Sequence, residues 1–270
     1  MTEVDLRHHI DGVGAVMAGT ANVIMQLSLA PVGYGVVESK VESGKVTKHP
    51  FKRFRTTFSF LAVAMLGTDE DRCAFRKAVD TAHVQVRSDA SSPVKYNAFD
   101  PDLQLWVAAC LFWGAEDVMA RLRGPLEPAL RDHFYELGAR FGTTLQVKPD
   151  MWPADREAFE QYWEQSKARL HIEEPVRAYL QGLIDYTFMP KAFRRAAGPL
   201  HRLLTVGFLP PFWREEMKLS WTDADQRRFD RILAVVGAVN RRMPNVVRAF
   251  PFNFYLWDVR RRIRTGKRLV

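Results

Sequence analysis

Five side chains in the first third of the chain have types and spacings suited to chemistry. In "KAVDTAHVQVRS" the periodicity predicts an amphipathic helix, and His83 falls on the same stripe as Phe75, Val79, Ala82 and Val86. An imidazole so placed is either a core histidine bonded to a backbone carbonyl or a ligand. Neutral imidazole is a common metal ligand and a frequent axial ligand of haem iron. Upstream, Lys52, Arg55 and Thr56 stand at i, i+3 and i+4, beside Arg53, in an otherwise apolar segment. Cations and a hydroxyl there are expensive unless they meet a polar or anionic group or reach solvent. Read functionally, they form a polar cluster facing a cofactor pocket. Read structurally, they are a first helical turn whose basic side chains reach water.

Other chemistry lacks its usual markers. The chain contains no GxGxxG after a strand, no GxxxxGK[ST], no GxSxG, no HExxH and no EF-hand loop. No Glu-x-x-His pair of the di-iron type occurs. Cys73 and Cys110 are far apart and outside any zinc spacing, which favours a reducing compartment. The N-terminal "MTEVDLRHHIDG" lacks the pattern of a signal peptide, so a cytoplasmic location is expected.

The elements that must position these residues read as helices. Gly12 to Val37 is uncharged but carries Asn22, Gln26, Pro31 and five glycines, and predicts a buried core helix from about Val13 to Leu29 rather than a membrane span. "PFKRFRTTFSFLAVAMLG" predicts a second helix ending at Gly67, and "TDEDRCAFRKAVDTAHVQVR" a third with an acidic first turn. Asp100 and Pro101 are a cap and first-turn pair for a fourth. Further helices are expected near 125–141, 153–168, 174–186, 190–206 and 222–242. Without strand alternation, repeat or linker, the chain reads as a single all-α, multi-helix domain over 1–270. Its net charge of +8 is concentrated at the end: Arg260, Arg261, Arg262, Arg264, Lys267 and Arg268 make a basic tail over about 259–270. The aromatic residues before it make that end suited to peripheral contact with an anionic membrane, or else a packed helix with a solvated tail. No nucleic-acid module accompanies the charge.

Five stretches in order resemble the MpaB and latex clearing protein (rubber oxygenase) family. They are "KRFRTT" with "MLG", "AHVQVR", "YNAFDPDLQLWV", "LTVGFLPPFWREEMKLSW" and "RAFPFNFYLWDVRRRI". The resemblance implies a haem b domain with a roughly globin-like helical pack, in which dioxygen cleaves a carbon–carbon double bond of a hydrophobic isoprenoid or terpenoid substrate. It implies that His83 ligates the iron, with Arg53 beside the cofactor. It also implies that Arg55, Thr56 and Lys52 act on the distal side and that Glu38, or Glu42, serves as the acid or base. The sequence departs from the family pattern at Ala30, Asp80, Ser88 and Ala108. A non-catalytic helical protein that binds lipid or another ligand is the alternative these changes allow.

Overall fold

The computed structural model describes residues 9–270. Helix α1 (Gly12–Leu27) starts at Asp11, whose carboxylate accepts from Gly14 N at 2.8 Å and from Asn240 Nδ2 at 2.6 Å. It is shorter than the sequence predicts. Ser28 ends it: the hydroxyl donates to Met25 O at 2.6 Å and accepts from Trp213 Nε1 at 2.9 Å, while the Ser28 carbonyl accepts from His171 N. The chain then bends by 111° into α2 (Ala30–Val37). Pro31 fits the first turn of α2, where an N–H has no helical acceptor. Gly33 allows the bend, because a Cβ there would lie 2.6 Å from Leu27 O. No single helix among the described residues is long and apolar enough to cross a membrane, and α1 with α2 passes that test only as a bent pair.

Helix α3 (Pro50–Leu66) stops before Gly67, as its sequence indicates. Thr68 and Asp71 form a capping box at the start of α4 (Asp69–His83), a device worth about 1 kcal/mol. The expected stripe through Val86 is cut short. Val86 N donates to His83 O at 2.8 Å as the chain turns, and Arg87 pairs with Asn97 in an isolated antiparallel bridge, so His83 is the last helical residue. Asp100 then caps α5 (Pro101–Arg123) by accepting from Asp102 N and Leu103 N.

The rest of the chain is α6 (Pro128–Gly138), α7 (Arg140–Thr143), α8 (Arg156–Lys167), α9 (Glu174–Ile184), α10 (Lys191–Phe208), α11 (Pro211–Glu216), α12 (Asp223–Arg242), α13 (Asn245–Arg248) and α14 (Phe252–Arg264). The all-α class is therefore shown. Helix α5 lies at the centre with Trp106, Ala108, Ala109, Cys110 and Phe112 buried, and α1 packs between it and α10. Trp163 of α8 stacks on Trp113 at 5.5 Å and 5°, and also meets Trp106 and Trp213. Each large side chain buried this way contributes on the order of 2 kcal/mol.

A second, smaller core forms where α14 crosses α3 and α4. There Phe58, Val63 and Phe75 meet Phe252, Leu256 and Val259. Part of the basic end is tied down at this junction. Arg260 donates to the buried Asp71 at 2.8 and 3.0 Å, and Arg261 and Arg262 donate to Asp258 at 3.0 and 2.6 Å. Asp71 and Asp258 are held below the usual carboxylate range by these guanidinium bonds, against the upward push of burial.

Candidate functional site

The capped helix α4 carries His83 at its C-terminal end, half-buried, with its ring edge-on to Phe99 at 6.2 Å and 83°. Its Nδ1 is buried without a hydrogen-bond partner. Burial pushes its pKa below 6.5; the nearby Arg53 charge pushes the same way and Asp80 opposes it. The imidazole is thus neutral near pH 7. Asp80, one turn earlier, does not bond to it. Its Oδ1 accepts from Gln146 Nε2 at 2.5 Å, and Gln146 is in turn held by Gln104, which also donates to Ala98 O.

Arg53 approaches from α3, near enough to affect His83, and Tyr179 of α9 lies beside it. Among the described residues no carboxylate pairs with Arg53. Burial raises the pKa of Tyr179, and the Arg53 charge opposes that shift. Arg53 is exposed, so this is a solvent-accessible cation near a neutral imidazole, with no carboxylate partner among the described residues, and the pair is open to an anionic group.

The remaining positions of "KRFRTT" go elsewhere. At about 100° per residue, Arg53 and Arg55 are on nearly opposite sides of α3. Arg55 faces the C-terminal segment, donating from Nη1 to Leu269 O at 3.1 Å, with Arg262, Asp258 and Tyr255 around it. Lys52 lies on that side too, and desolvation and the charges of Arg55 and Arg268 lower its pKa. The Thr56 hydroxyl donates back to Lys52 O and Arg53 O at 3.1 and 3.0 Å. Thr57, four residues after Arg53 and on its face, has a hydroxyl without a partner among the described residues. Of the residues singled out from the sequence, the fold brings together His83 and Arg53, and it groups Lys52 with Arg55 at a different place.

Glu38 caps the C-terminus of α2, where its Oε2 accepts from Tyr96 and Ser92 hydroxyls, both at 2.8 Å, while Oε1 makes no hydrogen bond. None of these bonds reaches α3 or α4. Glu42 is exposed between Lys45 and Lys48, which hold its pKa down to about 2, so it is a weak base. Tyr179, Thr57 and Gln146 are the neighbours that sequence reasoning missed. Thr57 was available from the helical spacing to Arg53, whereas no local pattern connects Tyr179 or Gln146 to His83.

Among the described residues no three His, Cys, Asp or Glu side chains gather to hold a bare metal ion. The larger of the two best-formed cavities, about 360 Å³, lies between α5, α8 and α11 against Trp113, Trp163 and Trp213, and His83 is not in its lining.

A profile of the ER-bound oxygenase mpaB/B'/rubber oxygenase catalytic domain matches residues 6–238. The chain belongs to this family. The match covers His83, Arg53 and Tyr179 and ends within α12, so α13 and α14 lie beyond it. The chain is 53% identical over 250 residues to "Uncharacterized protein Mb2261" of Mycobacterium bovis and to "Uncharacterized protein Rv2237" of Mycobacterium tuberculosis, covering 93% of this chain and 98% of each relative. No solved structure matches.

Proposed function

We propose that this member of the oxygenase family is a haem b-dependent oxygenase that cleaves a carbon–carbon double bond in a hydrophobic substrate of isoprenoid or terpenoid class. The observation that carries the reading is His83, a neutral imidazole with a buried nitrogen that has no partner among the described residues, near an exposed arginine without a carboxylate partner there. These residues fit a haem. One imidazole cannot hold a bare metal, but it would suffice as a protein ligand to an iron whose other ligands a macrocycle supplies, and an accessible guanidinium would suit a propionate.

His83 would hold the iron and Arg53 would fix the anionic edge of the group. When bound, haem b supplies an iron at which dioxygen reacts with an alkene, both oxygen atoms ending in two carbonyl products. The neutral state of His83 keeps a lone pair for coordination. Tyr179 and Thr57 would bring hydroxyls to the Arg53 side, able to donate hydrogen bonds to polar atoms of a bound group. Of the two glutamates in the region where the family resemblance expects an acid or base, Glu38 has Oε1 open among the described residues while two hydroxyls hold Oε2, whereas Glu42 is tied to two lysines.

The non-catalytic ligand-binding reading is favoured by one feature. Lys52, Arg55 and Thr56 are engaged with the C-terminal segment or their own helix, away from His83. Oxygen uptake on addition of polyprenyl alkenes to haem-supplied protein, with trapping of carbonyl products, separates the two. Uptake matched by two carbonyls per dioxygen is expected; a haem-loaded protein that binds the alkenes without consuming oxygen would favour the second reading.

A further inference from the structure

The face formed where α14 crosses α3 is rich in exposed rings. Phe51 is 81% exposed, Phe54 40%, Phe250 56%, Phe254 45% and Trp257 51%. Four of these are connected through one buried-edge tyrosine. Tyr255 contacts Phe54 at 6.2 Å and Phe254 at 5.2 Å, and Phe254 contacts Phe250 at 6.2 Å and Trp257 at 5.8 Å. Phe51 stands one helical turn before Phe54 on α3. Single exposed apolar side chains are ordinary, but a contiguous patch of this kind marks an interaction surface.

The charges next to the patch have one sign in excess. The Arg261 guanidinium sits 5.1 Å over the Trp257 ring, and Arg264, Lys267 and Arg268 follow on the exposed end of the chain. Lys52 and Arg55 face the same end from α3, where Arg268 and Arg262 add further positive charge. Asp258, the carboxylate of this group, already accepts from both Arg261 and Arg262. The cations therefore remain under-neutralised. A second copy docked on the same patch would set cations against cations, whereas an anionic surface complements them.

We propose that this aromatic and basic face is a docking surface for an anionic lipid bilayer, the rings entering the interfacial region and the cations meeting lipid headgroups. Half of the face, α14, lies beyond residues 6–238, so the family match does not extend to it, although its sequence is one of the five stretches that resemble the family. Docking is independent of any group held by His83.

Sedimentation of the full chain with vesicles of phosphatidylcholine alone, or containing about 30 mol% phosphatidylserine, tests the proposal. Binding to the anionic vesicles is expected, weakened at least about tenfold on raising salt from roughly 0.05 to 0.5 M. The variant R264Q/K267Q/R268Q, altered only at exposed positions, should lose roughly a hundredfold in partitioning. F254S/W257S should lose at least about tenfold. V235S/V239S, with exposed valines on α12, should bind like the parent, and circular dichroism checks that each variant is folded. Three results would overturn the proposal: no binding to either vesicle, binding indifferent to both sets of substitutions, or a dimer abolished by F254S/W257S in a protein that ignores lipid.

Discussion

Two arginines two residues apart on α3 have opposite surroundings. Arg55 is held by the Leu269 carbonyl and lies near Asp258, joining the family helix to the C-terminal segment. Arg53 is exposed, lies near enough to Tyr179 and His83 to affect their charge, and has no carboxylate partner among the described residues. The difference separates a side chain whose interactions are completed within the fold from an accessible one left open beside His83. A run such as "KRFRTT" is therefore two sites rather than one, since a helix turns its neighbours away from each other.

The largest effect that would break this comparison comes from His83. His83→Gly should cut bound haem more than tenfold, and added imidazole should restore part of it, because the residue ends α4 and the helix does not depend on its side chain. Next comes the arginine pair. Arg53→Gln should weaken haem retention about tenfold through loss of a charge-assisted bond, measured by haem transfer to an apo-acceptor. Arg55→Gln should leave retention unchanged and cost about 1 kcal/mol of stability, read from a urea midpoint, as its bond to Leu269 O is lost.

The threonines sharpen the same contrast more gently. Thr57→Val should lower turnover several-fold while Thr56→Val leaves it unaltered, since the Thr56 hydroxyl is taken up by its own helix. A pH effect is the smallest. Burial holds His83 below its ordinary 6.5, so the unfolded chain takes up a proton first as pH falls. Its contribution to stability is complete above about pH 6.5 and is lost as pH drops toward the depressed folded value. His201 is shifted the same way by burial, so His83→Gln should remove only part of the acid sensitivity of the urea midpoint.

Much of the helical plan was legible because its punctuation is local. Thr68 with Asp71, and Asp100 with Pro101, mark helix starts by satisfying free N–H groups, and both helices begin there. The break at Ser28 was not, because it depends on Trp213 and His171 from distant parts of the chain. The end of α4 at His83 was missed as well: "HVQVR" continues an apolar stripe without glycine or proline, and pairing of Arg87 with Asn97 overrides it. At the site, His83 and Arg53 could be nominated by type, but Tyr179 comes from α9 and only the fold brings it there. The separation of Arg55 from Arg53 needed no structure, only the helical angle between them.

The most direct test of the account is a Soret spectrum and pyridine haemochrome of haem-supplied protein, with His83→Gly and Arg55→Gln prepared in parallel. Near-stoichiometric haem b is expected in the parent and in Arg55→Gln, with loss of haem from folded His83→Gly. A well-folded parent without haem, or a His83→Gly protein that keeps it fully, would contradict the assignment and return His83 to a structural role.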